Sequence, residues 1–352
     1  MKIEEILQNA YDKKVSDIHM IADSPIMFRI HGKMVPQSED ICLVQEIEDM
    51  LKSVFTKEQW QELEEEGEFD SAVSLKGVGR IRINAYRQRG TYAAALRILS
   101  SQIPTPEELK LPKSILALTK KSKGLILITG EAGSGKSTTL ASLMNYIAQN
   151  ETKNIITIEN PIEYLLSHGK GIVSQREIGT DTKCYANAVR SAMRQDPDVL
   201  FVGELTDTEI IEEVIKAAET GHLVFSSLCT NQTEDTLRRL IEVFPEHRRQ
   251  QIRVQLSAVL RGVISQKLLP RCDMEGRSAV YEILYMDKNM QNLLREDKIP
   301  QMISALENQE TEGMQTMDDA ILSAYMKMQI SADTAVTHAQ NPESMRAKTR
   351  IY

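Results

Sequence analysis

Residues 124–137 read GLILITGEAGSGKS, an apolar run that opens directly into a glycine-rich turn ending in Lys136 and Ser137. The turn, Gly130-Glu131-Ala132-Gly133-Ser134-Gly135-Lys136-Ser137, matches the pattern G-x-x-x-x-G-K-S/T. That pattern carries weight when it follows a buried strand and opens a helix. GLILIT (124–129) has the length of a buried strand, and ASLMNYIAQN (141–150) has a helical pattern. Glycines let such a turn curl so that successive N–H groups point inward at phosphate oxygens. The helix that follows adds its positive N-terminal end. The lysine then reaches the β- and γ-phosphates and the hydroxyl ligates Mg²⁺. Residues Gly130 to Ser137, together with Thr138, are therefore expected to bind ATP and Mg²⁺.

The surrounding pattern fixes the class of fold. NIITI (154–158), VLFVG (199–203) and HLVFSSL (222–228) are further apolar runs of strand length. Between them lie helical stretches, CYANAVRSAMRQ (184–195) and TEIIEEVIKAAET (208–220). Continuous apolar strands alternating with helices predict an α/β, mostly parallel sheet covered on both faces. From about residue 246 the chain reads as helical to its end, with the last dozen residues loosely ordered.

The first hundred residues read differently. MKIEEILQNAYDKK is an amphipathic helix without a signal-peptide core, and IMFRIHGKMV (26–35) suggests a strand pair turning at Gly32. The acidic stretch Glu62–Glu68 reads as the solvated end of a helix. GRIRINAYRQRG (79–90) and TYAAALRIL (91–99) read as a hairpin around Gly90, with arginines on it. Residues 101–113 hold three of the eleven prolines, which marks a boundary. The expected division is 1–100, a linker over 101–113, an ATPase core over 114–270 and a mainly helical region over 271–352.

Acidic partners come next. Glu204 follows VLFVG, where a carboxylate completes the Mg²⁺ shell, so Ser137 and Glu204 are the expected metal ligands. Glu159 and Glu163 follow NIITI, and ligands bind at strand carboxyl ends in open α/β sheets. One of the two is expected to orient or deprotonate the attacking water. His222 opens HLVFSSL beside another strand, where a neutral imidazole would sense the γ-phosphate. Arg80, Arg82 and Arg97 are candidates to reach nucleotide, and an arginine supplied across an interface neutralises charge in phosphoryl transfer.

The bulk numbers exclude other classes. Across 352 residues the net charge is −8, which argues against broad nucleic-acid binding. No run approaches the ~18 apolar residues of a spanning helix, so the chain is expected to be cytoplasmic without direct membrane insertion. Cys42, Cys184, Cys229 and Cys272 form no CxxC pair, which speaks for reduced thiols.

Together these residues resemble one family, the secretion ATPases, and within it the type IV pilus retraction motors of the PilT type. The resemblance runs through SDIHM (16–20), RIRINAYRQRG (80–90), GEAGSGKST (130–138), ITIENPIEY (156–164), RSAMRQDPDVLFVGE (190–204) and ETGHLVFSSL (219–228). RRLIEVFP (238–245), VISQKLL (263–269) and GMQTMDDA (313–320) extend it. It implies a PAS-like N-terminal domain, a RecA-like P-loop ATPase core and a helical C-terminal region. It further implies a homo-hexameric ring that powers pilus retraction from the inner face of the cytoplasmic membrane. An inner-membrane platform protein and other pilus motor ATPases are the implied partners. By the resemblance Glu163 activates water, Glu204 is the Walker B glutamate, Lys136 holds phosphate, His222 is the first His-box histidine, and Arg80, Arg82 and Arg97 reach nucleotide. A short N-terminal region and the lack of a tetracysteine site suit retraction over assembly.

Four positions depart from the pattern: Asn160 for an aspartate, Thr206 for an arginine, Cys229 for the second His-box histidine and Gln291 for an arginine. They keep open a second reading, an ATP-binding accessory or regulatory ring with weak or no hydrolysis. A DNA-translocating RecA-like motor fits neither the charge nor the order of motifs.

Overall fold

In the computed structural model the described residues are 2–13, 15–30, 33–75, 78–98, 102–308 and 311–349. They form two compact units: Met1–Ile103 with Pro161–Leu165, and Pro104–Asn160 with Leu166–Tyr352.

The first unit runs α1 (Ile3–Asp12), β1 (Asp17–Met20), β2 (Ser24–Ile30), β3 (Lys33–Cys42), α2 (Val44–Val54), α3 (Lys57–Glu66), β4 (Glu68–Leu75), β5 (Gly79–Gln88) and β6 (Thr91–Ile98). Its six strands lie in the order β3-β2-β1-β6-β5-β4, each pair antiparallel. Period-two alternation explains why one face packs: Ile81, Ile83 and Ala85 of β5 are buried, while Arg82 between them is exposed. The buried set joins Ile6, Ile47, Leu51 and Leu63 of the three helices in one core. Arg89 and Gly90, with φ of 49° and 80°, turn the β5–β6 hairpin in the two-residue form that suits strand twist. Thr56 and Gln59 cap α3 reciprocally, and the acidic end of that helix is solvated as expected. The turn expected at Gly32 lies outside the described residues.

The second unit continues with α4 (Lys113–Thr119), β7 (Gly124–Thr129), α5 (Lys136–Asn150), β8 (Asn154–Glu159), β9 (Ile172–Glu177), α6 (Tyr185–Ala192), β10 (Val199–Val202), α7 (Thr208–Glu219), β11 (Leu223–Leu228), α8 (Thr233–Glu242) and α9 (Glu246–Val259). Then follow β12 (Leu260–Pro270), β13 (Arg277–Tyr285), α10 (Lys288–Arg295), α11 (Ile299–Glu307), α12 (Met317–Met326), α13 (Ala332–His338) and α14 (Pro342–Thr349). The sheet order is β13-β12-β7-β11-β10-β8-β9, parallel except for the antiparallel β12–β13 pair.

Its continuous apolar strands have a direct cause. Leu125 and Leu127 of β7 enter the core on one face, and Ile126 and Ile128 enter the core on the other. All four are at most 1% exposed, and at about 1.5–3 kcal/mol each their burial contributes roughly 6–12 kcal/mol as an upper bound. That places β7, and the turn it feeds, in the interior of the sheet between β12 and β11.

Two expectations need correction, and one strand goes unread. The chain is not helical from residue 246 onward, because β12 and β13 complete the sheet. Leu260, Val263 and Ile264 are fully buried, and β12 pairs in parallel with β7, so tertiary pairing overrides local helical pattern. The region 271–352 accordingly begins with a strand before it becomes helical. β9 (IVSQRE) carries too few apolar residues to be read as a strand, since an edge position needs only one side packed. The last dozen residues include α14, which buries Met345 beside Met317, Ile321 and Ala335.

Candidate active site

The glycine turn leaves β7 at Thr129, and α5 begins at Lys136. Gly130 and Gly135 have φ of 148° and 89°, a region that suits glycine. Space demands it too. A Cβ on Gly130 would lie 2.4 Å from the Gln266 carbonyl oxygen, and one on Gly135 2.9 Å from Gln266 Nε2. Gly135 at the N-cap brings no side chain to the first-turn N–H groups of α5, which are left to receive an anion. Lys136 Nζ donates to the carbonyls of Gly130 (2.7 Å) and Glu131 (2.9 Å), folding back over its own loop.

Parallel register brings the other groups to this edge. Leu228 pairs with Thr129 and Val202 with Ser226, so Gly130, Glu204 and Cys229 leave their strands on the same side. Cys229 Sγ lies 3.6 Å from Lys136 Nζ and is hydrogen-bonded with Glu204. Burial, then that bond, pushes the Cys229 thiol up against the opposing pull of Lys136, so it stays a neutral thiol at neutral pH. Tyr185 packs on Gly203, where an added Cβ would lie 2.8 Å from its hydroxyl. Burial, then the charges of Glu159 and Glu204, pushes this phenol far above its ordinary value. It is therefore a permanent hydrogen-bond donor beside two carboxylates. Glu159 is buried at the end of β8, accepting from Thr157 Oγ1 (2.6 Å) and Gln175 Nε2 (3.1 Å).

A cavity of about 310 Å³ adjoins the loop, lined among others by Lys110, Leu268, Arg271, Arg277, Tyr281 and Lys327. Arg277, one of its lining residues, donates from Nη1 to the Gly133 carbonyl of the loop (3.2 Å).

His222 requires a correction. It precedes β11, whose first residue pairs with Gly124 at the start of β7. The strand separates it from the phosphate loop by six residues, about 20 Å at 3.3 Å per residue. Its Nδ1 lies 3.0 Å from the Ala217 carbonyl and 3.3 Å from Thr220 Oγ1. The length of the strand keeps it from this chain's own loop; Cys229, at the other end of the same strand, is the residue that meets Lys136.

Other expected residues lie in the first unit. Glu163 belongs to the segment Pro161–Leu165 that clusters there. Arg80 Nε donates to the carbonyl of Ile162 (3.0 Å) in that segment, and its Nη1 donates to Ser74 Oγ (3.2 Å). Arg82 faces Asp70 (3.5 Å) and Arg97 pairs with Asp17 (2.7 Å), around a cavity of about 250 Å³. Partial burial pushes the Asp17 carboxyl up, but bonds from Arg97 and Ser16 outweigh it and hold it below the usual carboxylate range. Gln266 and Tyr185 were missed from sequence. A glutamine inside the apolar run VISQKLL was the available signal for the first; Tyr185 offered none.

Fold and site together define a P-loop nucleotide-binding protein of the secretion class. The family of Type II/IV secretion system proteins matches residues 1–336, and the chain belongs to that family. It is 40% identical over 319 residues to a "Twitching motility protein" of Neisseria gonorrhoeae, covering 91% of this chain and 85% of that protein. It is 37% identical over 348 residues to the type IV pilus retraction ATPase PilT of Pseudomonas aeruginosa, covering 98% of this chain and all of that protein. A crystal structure of the pilus retraction motor PilT with bound ADP superposes with a TM-score of 0.91 at 42% identity, each chain 98% covered.

Proposed function

We propose that this chain is an ATP hydrolase that powers type IV pilus retraction as a ring of six copies. The observation that carries the reading is the meeting of loop 130–137, Lys136 and Glu204 at one sheet edge, in a chain alike end to end with a retraction motor. ATP enters with its phosphates over the loop, and Lys136 exchanges the Gly130 and Glu131 carbonyls for phosphate oxygens. The cavity beside Leu268 and Arg277 receives base and ribose. Hard oxygen donors suit Mg²⁺, and Ser137 Oγ with the Glu204 carboxylate supply them. When bound, the ion neutralises charge across the β- and γ-phosphates. By the family pattern Glu163 is assigned to activating water and Arg80, Arg82 and Arg97 to nucleotide phosphates, the arginines belonging to the PAS-like N-terminal domain that precedes the 101–113 linker. Among the described residues no helix is long and apolar enough to cross a membrane. This fits a ring held at the inner face of the cytoplasmic membrane by a platform protein, alone or beside other pilus motor ATPases.

One observation favours a second reading. A neutral thiol at Cys229 stands between Lys136 and Glu204, which suits an accessory ring that turns over slowly. Phosphate release from the purified chain, beside Lys136→Ala and Glu204→Ala with oligomer size recorded, separates the two. Turnover lost in both variants supports the motor. ATP binding without turnover in the parent chain supports the accessory ring, and Cys229→His should then confer measurable phosphate release.

A further inference from the structure

Gln266 is 2% exposed in β12, a strand that is otherwise largely apolar. A buried amide costs free energy unless both its ends are hydrogen-bonded. Both are. Its Nε2 donates to the Ser134 carbonyl (2.8 Å), and its Oε1 accepts from Thr139 Oγ1 (2.9 Å). The orientation is forced, because a carbonyl oxygen only accepts and so only the NH₂ end can face it. One side chain, 132 residues from the loop in sequence, thus grips the loop and the first turn of α5 together. Tyr281 braces the same point, being hydrogen-bonded with Thr139.

The grip has a chemical consequence. In a trans peptide the carbonyl and the N–H point in opposite directions. Holding the Ser134 carbonyl toward β12 therefore turns the Gly135 N–H away from β12, to the concave side that receives phosphate oxygens. The Gln266 backbone carbonyl adds a second constraint, since it stands where any Cβ on Gly130 would fall.

We propose that Gln266 is a positioning residue for the reaction: it holds the Ser134–Gly135 peptide in the anion-receiving orientation and ties the loop to the helix that carries Lys136 and Ser137. This rests on the assignment of residues 130–137 as the nucleotide loop. Without the amide, the Gly135 N–H is free to turn from the phosphates, and nucleotide affinity falls.

The test uses the purified full chain with ADP binding, MgATP turnover and thermal unfolding measured side by side. Gln266→Met keeps the length and removes both hydrogen bonds. It should bind ADP about tenfold more weakly, a change equivalent to about 1.4 kcal/mol. Gln266→Glu keeps the acceptor for Thr139 and loses the donor to Ser134. Its binding should be poor at pH 8 and recover toward pH 6, because burial raises a carboxyl pKa and the protonated acid donates again. A merely structural role would move the thermal unfolding of Gln266→Glu with pH and leave the affinity of the folded fraction unchanged. If Gln266→Met does not fold, the pH dependence of Gln266→Glu decides alone: recovery supports the assignment and a pH-independent loss overturns it. Gln266→Met binding ADP within twofold of the parent, while Lys136→Ala has lost it, would overturn the role of Gln266. Unimpaired binding by Lys136→Ala would instead refute the loop assignment beneath it.

Discussion

Alanine at position 130 places a methyl group where the structure has no room for one. The added carbon falls 2.4 Å from the Gln266 carbonyl oxygen and 2.5 Å from Ser134 Oγ, at a φ of 148°. The serine hydroxyl can rotate aside. The carbonyl cannot, because Ser265 is registered against Thr129 of β7 on one side and Gln266 against Tyr281 of β13 on the other. Opening the contact from 2.4 Å to the 3.0 Å that real Cβ atoms respect moves the loop by about 0.6 Å. The backbone conformation costs about 1–2 kcal/mol and the overpacking about 1–3 kcal/mol. At about 2–4 °C per kcal/mol for a unit of this size, the 2–5 kcal/mol total predicts a fall in Tm of roughly 4–20 °C. The folded remainder should bind MgATP at least tenfold more weakly, since the loop N–H groups no longer converge. Calorimetry and nucleotide titration on one preparation measure both. A Gly130→Ala chain with parental Tm and parental affinity would refute the argument that strand β12 sets the shape of the loop.

Two acid–base predictions follow from the hydrogen-bonded groups. Asp17 has a depressed folded-state pKa, so its contribution to stability is present above the ordinary carboxylate value and is lost as pH falls through the folded one. Arg97→Ala should flatten the loss of stability of the N-terminal unit below about pH 4, read by fluorescence of Trp60, and an unchanged acid limb would argue that the pair is idle. Burial pushes the Tyr281 phenol up to about 12 against the counter-pull of its bond with Thr139. Its neutral form therefore adds stability below about pH 10, which is lost as pH rises toward 12. Tyr281→Phe should reduce the steepness of alkaline unfolding in that window, and an identical slope would place the titration elsewhere.

Much of this protein was legible in its residues alone. GLILIT followed by GEAGSGKS needs no partner to be understood: apolar residues facing both ways demand a central parallel strand, and glycines before Lys136 demand a phosphate loop. The same logic located Glu204, because a carboxylate directly after VLFVG must emerge at the loop's edge of the sheet. GRIRINAYRQRG and TYAAALRIL likewise announced a hairpin around Gly90 with arginines on it.

Other features were decided only by tertiary structure, for reasons of distance and direction. His222 and Cys229 both flank β11, but strand direction puts the histidine at the wrong edge and the cysteine against Lys136. The segment Pro161–Leu165, with Glu163, packs with the N-terminal unit although it lies between β8 and β9 in sequence. β12 falls in a stretch that reads as helical, and only its parallel pairing with β7 reveals it as a strand. Gln266 carries no local mark beyond being polar in an apolar run. Its meaning arises because pairing β12 with β7 delivers its amide to a carbonyl 132 residues away. Local pattern records which face of an element is buried, whereas long-range pairing determines what each buried polar group must satisfy.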